Sequence, residues 1–206
     1  MIWIGDVLVS RGDGGVYGEK LLDKCRVWDP YRSKLAALYY LCPAPELTPD
    51  LRVLYLGAAN GTTVSHVADY VECVYAVEMA PRPMKDLIAV AARRENIIPI
   101  MADARHTESF APLLEMVDMV YQDIAQPDQV AIAIRNSMFL KKGGILIVVL
   151  KTRSIDVAED PEIILRHAGR ELECAGFFVS QSVWLDPYHR DHAVLIGSRE
   201  PRDVGV

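Results

Sequence analysis

Basic residues are in deficit. The 206-residue chain has 22 Lys and Arg against 28 Asp and Glu, a net charge of −6. That balance excludes a surface that binds polyanions everywhere, because neutralising phosphates needs cations in excess. The deficit is not confined to one end: residues 1–50 carry 6 basic and 7 acidic side chains, and residues 151–206 carry 7 and 10, so neither a basic arm nor an acidic tail stands apart. Cysteine is scarce, with Cys25, Cys42, Cys73 and Cys174 widely spaced and no C-x-x-C pair. This excludes a disulfide framework and a thiolate zinc site, and fits reduced thiols in a cytoplasmic protein. The five histidines form no H-E-x-x-H, and G-x-S-x-G is missing, so neither a zincin nor an α/β-hydrolase is supported and no metal is expected. No apolar run approaches the roughly 18 residues that span a bilayer. The longest, Gly143 to Leu150, has the length of a strand, and MIWIGDVLVSRGDGG lacks the basic and apolar regions of a secretory signal, so no membrane partner is expected.

What the chain does contain is alternation. RVLYLG (Arg52 to Gly57), VYAVEM (Val74 to Met79), IIPIMAD, VDMVYQD and GILIVVLK are short apolar runs. Between them lie helix-like stretches: TTVSHVADYV, PRPMKDLIAVAARREN, PDQVAIAIRNSMFL and DPEIILRHAGRELECAG. Uninterrupted apolar strands separated by helices predict a parallel sheet covered on both faces. FFVSQSVWL and HAVLIGSR follow with no helix between them and predict an antiparallel edge hairpin. The expectation is an α/β, doubly wound fold with ligands at the carboxyl ends of its first strands. Residues 1–27 suggest a short β-rich extension, residues 28–199 the main domain with a leading helix and linker over 28–50, and residues 200–206 a tail. The leading helix is expected to open at Asp29-Pro30.

The turn LYLGAANGTT places Gly57 and Gly61 between the first of these strands and its helix, where backbone can approach a ligand closely. Glu78 ends the next strand 21 residues after Gly57, positioned to accept both hydroxyls of a ribose. Asp103 and Asp123 end the third and fourth strands. The spacing is not G-x-G-x-x-G, since Ala59 stands at the second glycine, so a nicotinamide dehydrogenase is disfavoured. A ligand with ribose and adenine but no phosphates fits better, and S-adenosylmethionine is that ligand.

The segments VLYLGAANGTTVSHVADYV, YAVEMAPRPMKDLIAVAARRENIIPIMADAR, VDMVYQDIAQPDQ, LKTRSIDV and DPYHRDHAVLIG closely resemble fibrillarin, in its shorter archaeal form. WDPYRSKLAA is similar to that family too, and the likeness runs over roughly residues 17–199. LKTRS stands where IKARS is commoner in the family, and AAN where AAS is usual. The resemblance implies a Rossmann-like S-adenosylmethionine-dependent methyltransferase fold with a mostly parallel seven-stranded sheet. It also implies transfer of methyl groups to ribose 2′-hydroxyls of rRNA, and of tRNA, inside a box C/D guide ribonucleoprotein. The partners so implied are a Nop-family scaffold protein, a kink-turn-binding ribosomal-type protein, the guide RNA and its target. On this likeness Thr62 and Thr63 line the methionine end of the cofactor, Glu78 and Met79 the ribose, Asp103 and Ala104 the adenine, and Asp123, Ile124, Ala125 and Gln126 the sulfonium side. The catalytic set falls on Lys34, Asp123, Lys151 and His192.

A ribose hydroxyl is a poor nucleophile until a base takes its proton, whereas a sulfonium methyl is already activated. Lys151, at the end of an apolar strand, is the expected proton acceptor, its pKa expected to be lowered by partial burial and by a neighbouring Lys34 and held up by Asp123. Asp123 would orient it, and Lys34 and His192 would position the target. The competing expectation is a non-catalytic subunit of the same particle, which would be free to lose these four residues. His66, His106, His167 and His189 are expected to be surface or packing residues, and Arg93-Arg94 and Lys141-Lys142 solvated helix ends.

Overall fold

Neighbouring residues of β5 (Arg52–Leu56) enter opposite apolar layers: Val53 and Tyr55 pack into one, Leu54 and Leu56 into the other, and all are at most 3% exposed. A strand buried on both faces can carry an unbroken apolar run, which is why RVLYL does not alternate. The same division recurs in β6 (Cys73–Glu78), with Val74 and Ala76 on one side and Tyr75 and Val77 on the other. The computed structural model describes residues 1–12 and 14–199, so the expected tail over 200–206 lies outside the described residues.

With β7 (Ile97–Met101), β8 (Val117–Gln122), β9 (Leu140–Lys151), β10 (Phe177–Trp184) and β11 (His192–Arg199), these strands form a seven-stranded sheet in the order β10-β11-β9-β8-β5-β6-β7. β5 to β9 run parallel, while β11 pairs antiparallel with β9 and β10 with β11. The edge hairpin and the parallel core are therefore as expected. Pro99 is tolerated in β7 because that strand pairs with β6 alone and its other side needs no ladder donor.

Helices α1 (Lys34–Leu41), α2 (Thr62–Ala68) and α3 (Pro81–Ala91) cover one face; α4 (Gln129–Asn136) and α6 (Pro161–Cys174) cover the other, with a single turn, α5 (Thr152–Ile155), after β9. α6 opens at Asp160, whose side chain accepts a bond from the Glu162 N–H at 2.8 Å. α1 does not open at Asp29-Pro30. The Asp29 carboxylate accepts from the Tyr31 N–H at 2.8 Å and closes a turn, and Ser33, in extended conformation, caps the helix through the Ala36 N–H. The Asp-Pro pair, which can begin a helix, is here consumed by the turn before it. Lys141 and Lys142 are likewise in β9 rather than at a helix end, and Lys141 pairs with Asp118 at 2.8 Å.

The N-terminal residues form a second, antiparallel sheet of β1 (Ile2–Ile4), β2 (Val7–Ser10), β3 (Leu21–Leu22) and β4 (Cys25–Val27), in the order β1-β2-β4-β3. Leu8 and Trp28 join the apolar layer under α1 to α3. A buried polar seam ties the two sheets together. Arg26, fully buried, reaches Glu19 at 2.5 Å and Asp69 at 2.7 Å, and Asp69 also receives Arg94 at 3.0 Å. Arg94 is thus 9% exposed rather than a solvated helix end. His66 lies 2.8 Å from Ser10 and stacks on Trp28, 5.1 Å between centroids, and so is a packing residue.

Candidate active site

Parallel strands end together, so the carboxyl ends of β5, β6, β7, β8 and β9 bring Gly57, Glu78, Asp103, Asp123 and Lys151 to one edge of the sheet. Gly57 has φ +81°, and a Cβ there would lie 2.5 Å from the Asp123 carbonyl oxygen, so only glycine lets the β5 and β8 ends close up. The loop then folds onto β6. The Gly57 and Ala58 N–H groups both donate to the Val77 carbonyl at 3.0 Å, and the Ala59 N–H donates to Glu78 Oε2 at 2.8 Å. Glu78 Oε1 accepts from the Ala80 N–H at 2.7 Å. The carboxylate is therefore held still by backbone, with a lone pair on each oxygen left for another donor.

Between these ends opens a cleft with a cavity volume of about 220 Å³. Gly57, Glu78, Met79, Asp103, Ala104, Asp123, Ile124, Ala125 and Gln126 all line it, and Ala59, Val77, Ala102 and Ile132 complete it. Thr62 and Thr63 do not. Thr62 donates to Asn60 Oδ1 at 3.0 Å and borders a different cavity with Trp28 and Ser33; Thr63 donates to Ser33 Oγ at 3.1 Å. Three carboxylates line the cleft, and none of its described lining residues is Lys or Arg. A pyrophosphate would meet three carboxylates and no lining cation there. Ribose hydroxyls, an adenine amino group and a sulfonium find acceptors and negative charge, so the lining fits S-adenosylmethionine. Asp103 is kept ionised by Arg105, which grips it at 2.7–3.1 Å and holds its carboxyl below the usual range.

At one end of the cleft two lysine side chains share one carboxylate. Lys34 Nζ stands 3.0 Å from Asp123 Oδ2, and Lys151 Nζ 2.8 Å from Oδ1. All three side chains are 15–20% exposed. Burial alone would raise the Asp123 pKa, but Lys34 and Lys151 overcome it and hold the carboxyl below its ordinary value. Lys34 comes from α1 and Lys151 from β9, so Asp123 sets the spacing of nitrogens that are far apart in sequence.

His192 sits opposite Lys151 in the β9–β11 ladder. Its Nδ1 lies 2.7 Å from the Arg190 carbonyl, which places a proton on Nδ1 and leaves Nε2 as the acceptor of the neutral ring. Burial lowers its pKa, and Lys34 and Lys151 add to that shift. His189 is also here, its ring packed 6.1 Å from that of His192 and its pKa lowered by burial and by Lys34. A lone histidine at a hairpin tip carries no sequence signal; only the folded tip brings it to the lysines.

The sequence model of the fibrillarin family matches residues 9–201. The chain belongs to the fibrillarin family. A fibrillarin-like rRNA/tRNA 2′-O-methyltransferase from Methanoculleus marisnigri is 65% identical over 199 residues, covering 97% of this chain and 99% of that one. Among solved fibrillarin structures, one in a fibrillarin/Nop5p complex has a TM-score of 0.91 at 42% identity, covering 95% of each chain. Aeropyrum pernix fibrillarin, solved with natively bound S-adenosyl-L-methionine, has a TM-score of 0.81 at 37% identity, covering 93% of this chain and 98% of its own. The Rossmann-like methyltransferase architecture is thus shared with fibrillarins along nearly the whole chain.

Proposed function

We propose that the protein is an S-adenosylmethionine-dependent methyltransferase acting on ribose 2′-hydroxyls of rRNA and tRNA within a box C/D guide ribonucleoprotein. The observation that carries this reading is the Lys34–Asp123–Lys151 cluster at the end of a carboxylate-lined cleft. The names of the similar proteins support the RNA substrate and, through the fibrillarin/Nop5p complex, a Nop-family scaffold. A kink-turn-binding ribosomal-type protein, the guide RNA and a cytoplasmic setting belong to the same proposal.

When bound, S-adenosylmethionine supplies a methyl group on a positively charged sulfur. Glu78 accepts the ribose hydroxyls, Asp103 faces the adenine, and the backbone from Asp123 to Gln126 borders the sulfonium. Lys151, as the free amine, takes the proton of the target 2′-hydroxyl while the oxygen–methyl bond forms and the sulfur–methyl bond breaks. Asp123 steers that amine and stabilises the ammonium that results. Lys34, on the other carboxylate oxygen, and His192 place the target ribose. The intact geometry of all four groups favours turnover over a purely structural subunit.

Lys151→Ala is expected to reduce methyl transfer at least ~100-fold in a reconstituted particle, the scale of a lost general base. Cofactor affinity by calorimetry should stay within about threefold, because Lys151 does not line the cleft. Retained turnover would remove Lys151 from the role of base.

A further inference from the structure

Lys34 and His192 reach the cluster from segments that share no strand ladder. Lys34 is the first residue of α1, directly after the Asp29–Ser33 turn. His192 opens β11, after the tip that joins β10 to β11. The tip is internally braced: the Tyr188 and His189 N–H groups donate to the Leu185 carbonyl at 2.9 and 3.0 Å, and the Leu185 N–H donates to the His192 carbonyl at 2.9 Å. The turn is braced too, the Arg32 and Ser33 N–H groups both donating to the Asp29 carbonyl at 3.1 Å.

One side-chain hydrogen bond joins these two rigid pieces. His189 Nε2 lies 2.8 Å from the Pro30 carbonyl oxygen, across 159 residues of sequence. A carbonyl only accepts, so Nε2 carries the proton and donates, whatever the charge of the ring. Beside it, the rings of Tyr31 and Tyr188 meet edge to face at 5.0 Å between centroids, and Tyr188 also touches Tyr40 of α1 at 5.9 Å. The aromatic contacts give the seam area; the directional bond sets how the tip sits on the turn. Misalignment of reacting groups by an ångström is costly in rate even when every catalytic residue is present.

We propose that His189 is a positioning residue for methyl transfer: its bond to the Pro30 carbonyl latches the β10–β11 tip onto the turn before α1, so that Lys34 and His192 meet the target ribose around Asp123 in one fixed arrangement. The proposal rests on the methyltransferase reading above. It concerns rate, not affinity, because His189 does not line the cofactor cleft.

The test compares three variants in the reconstituted particle with guide and target RNA. In glutamine the amide nitrogen occupies the place of Nε2 and can still donate; in asparagine it stops short. His189→Ala and His189→Asn should lower kcat roughly tenfold, with KM for target RNA and cofactor affinity within about twofold. His189→Gln should restore kcat to within about threefold of wild type. An unchanged kcat in His189→Asn, or a His189→Gln no faster than His189→Asn, overturns the latch, and this pair suffices if His189→Ala does not fold. A merely structural role would lower the urea midpoint in all three variants and leave kcat alone. Independently of transfer, nitrogen-15 spectra of the wild-type chain should show His189 protonated at Nε2 and His192 at Nδ1. An inactive wild-type particle with that His189 signal present would count against the methyltransferase reading and leave the latch standing, whereas a His189 protonated at Nδ1 alone would remove the latch itself.

Discussion

Glu78 shows how much one residue can reveal. A carboxylate at the end of the second parallel strand, 21 residues after a glycine turn, is legible in sequence because strand ends in a parallel sheet share one edge. In the fold it is fixed by the N–H groups of Ala59 and Ala80 and faces the cleft. Glu78→Gln keeps the shape but removes the charge and half of the acceptor capacity. Affinity for S-adenosylmethionine, measured by calorimetry, should fall about 10- to 100-fold, the value of one or two charge-assisted hydrogen bonds. Unchanged affinity would mean that the ribose lies elsewhere. His189 marks the opposite limit. Its partner is a carbonyl 159 residues away, and no local pattern announces such a bond. The hydrogen bonds of Thr62 to Asn60 and Thr63 to Ser33 were equally illegible, the second joining residues 30 apart in sequence.

At the scale of elements, the central strands and their helices were legible because burial on both faces demands apolar runs of a recognisable length. The start of α1 was not, since Asp29-Pro30 suits a turn as well as a helix and Ser33 decides between them. The seam that holds β2 and β4 against α2 was also hidden, being made of charged residues that composition assigns to the surface. Its titration makes it testable. Burial pushes the Glu19 carboxyl up, but Arg26 and the neighbouring amides outweigh it and bring the pKa to about 2, from 4.5. Burial, with help from Arg26, lowers His66 to about 3, from 6.5. Both pKa values are lower in the folded chain, so the unfolded chain binds more protons at acidic pH. The stabilisation is complete above pH 6.5, erodes from there to about 3 through His66, and erodes between 4.5 and about 2 through Glu19. His189 and His192 are shifted in the same direction and add to the slope. The urea midpoint should drop steadily from pH 7 to pH 4, and less steeply in His66→Gln; a flat profile would show that the seam does not differ between folded and unfolded chains.

For the molecule as a whole, the net charge of −6 is compatible with an RNA substrate only if the cations are gathered locally. Lys34 and Lys151 stand at the proposed reaction centre, and Arg153 and Arg190, close to Lys151 and His192 in sequence, are exposed. So few cations cannot hold RNA tightly, and on the proposed function most phosphate contacts would fall to partner proteins. Purified alone, the chain should bind target RNA no more tightly than ~10 μM at physiological salt, within the range of non-specific binding. Nanomolar, steeply salt-dependent binding by the isolated chain would place the RNA surface on this protein instead.

On the proposed function, the cleft and the lysine cluster together methylate a ribose oxygen. The most direct measurement follows labelled methyl from S-adenosylmethionine into target RNA in the reconstituted guide particle, using a target and its counterpart lacking only the 2′-hydroxyl at the guided nucleotide. Label should appear at that one nucleotide, resist alkaline cleavage as a 2′-O-methyl ribose, and be absent from the deoxy counterpart. Label on a base, or equal label in the deoxy counterpart, would contradict the assignment.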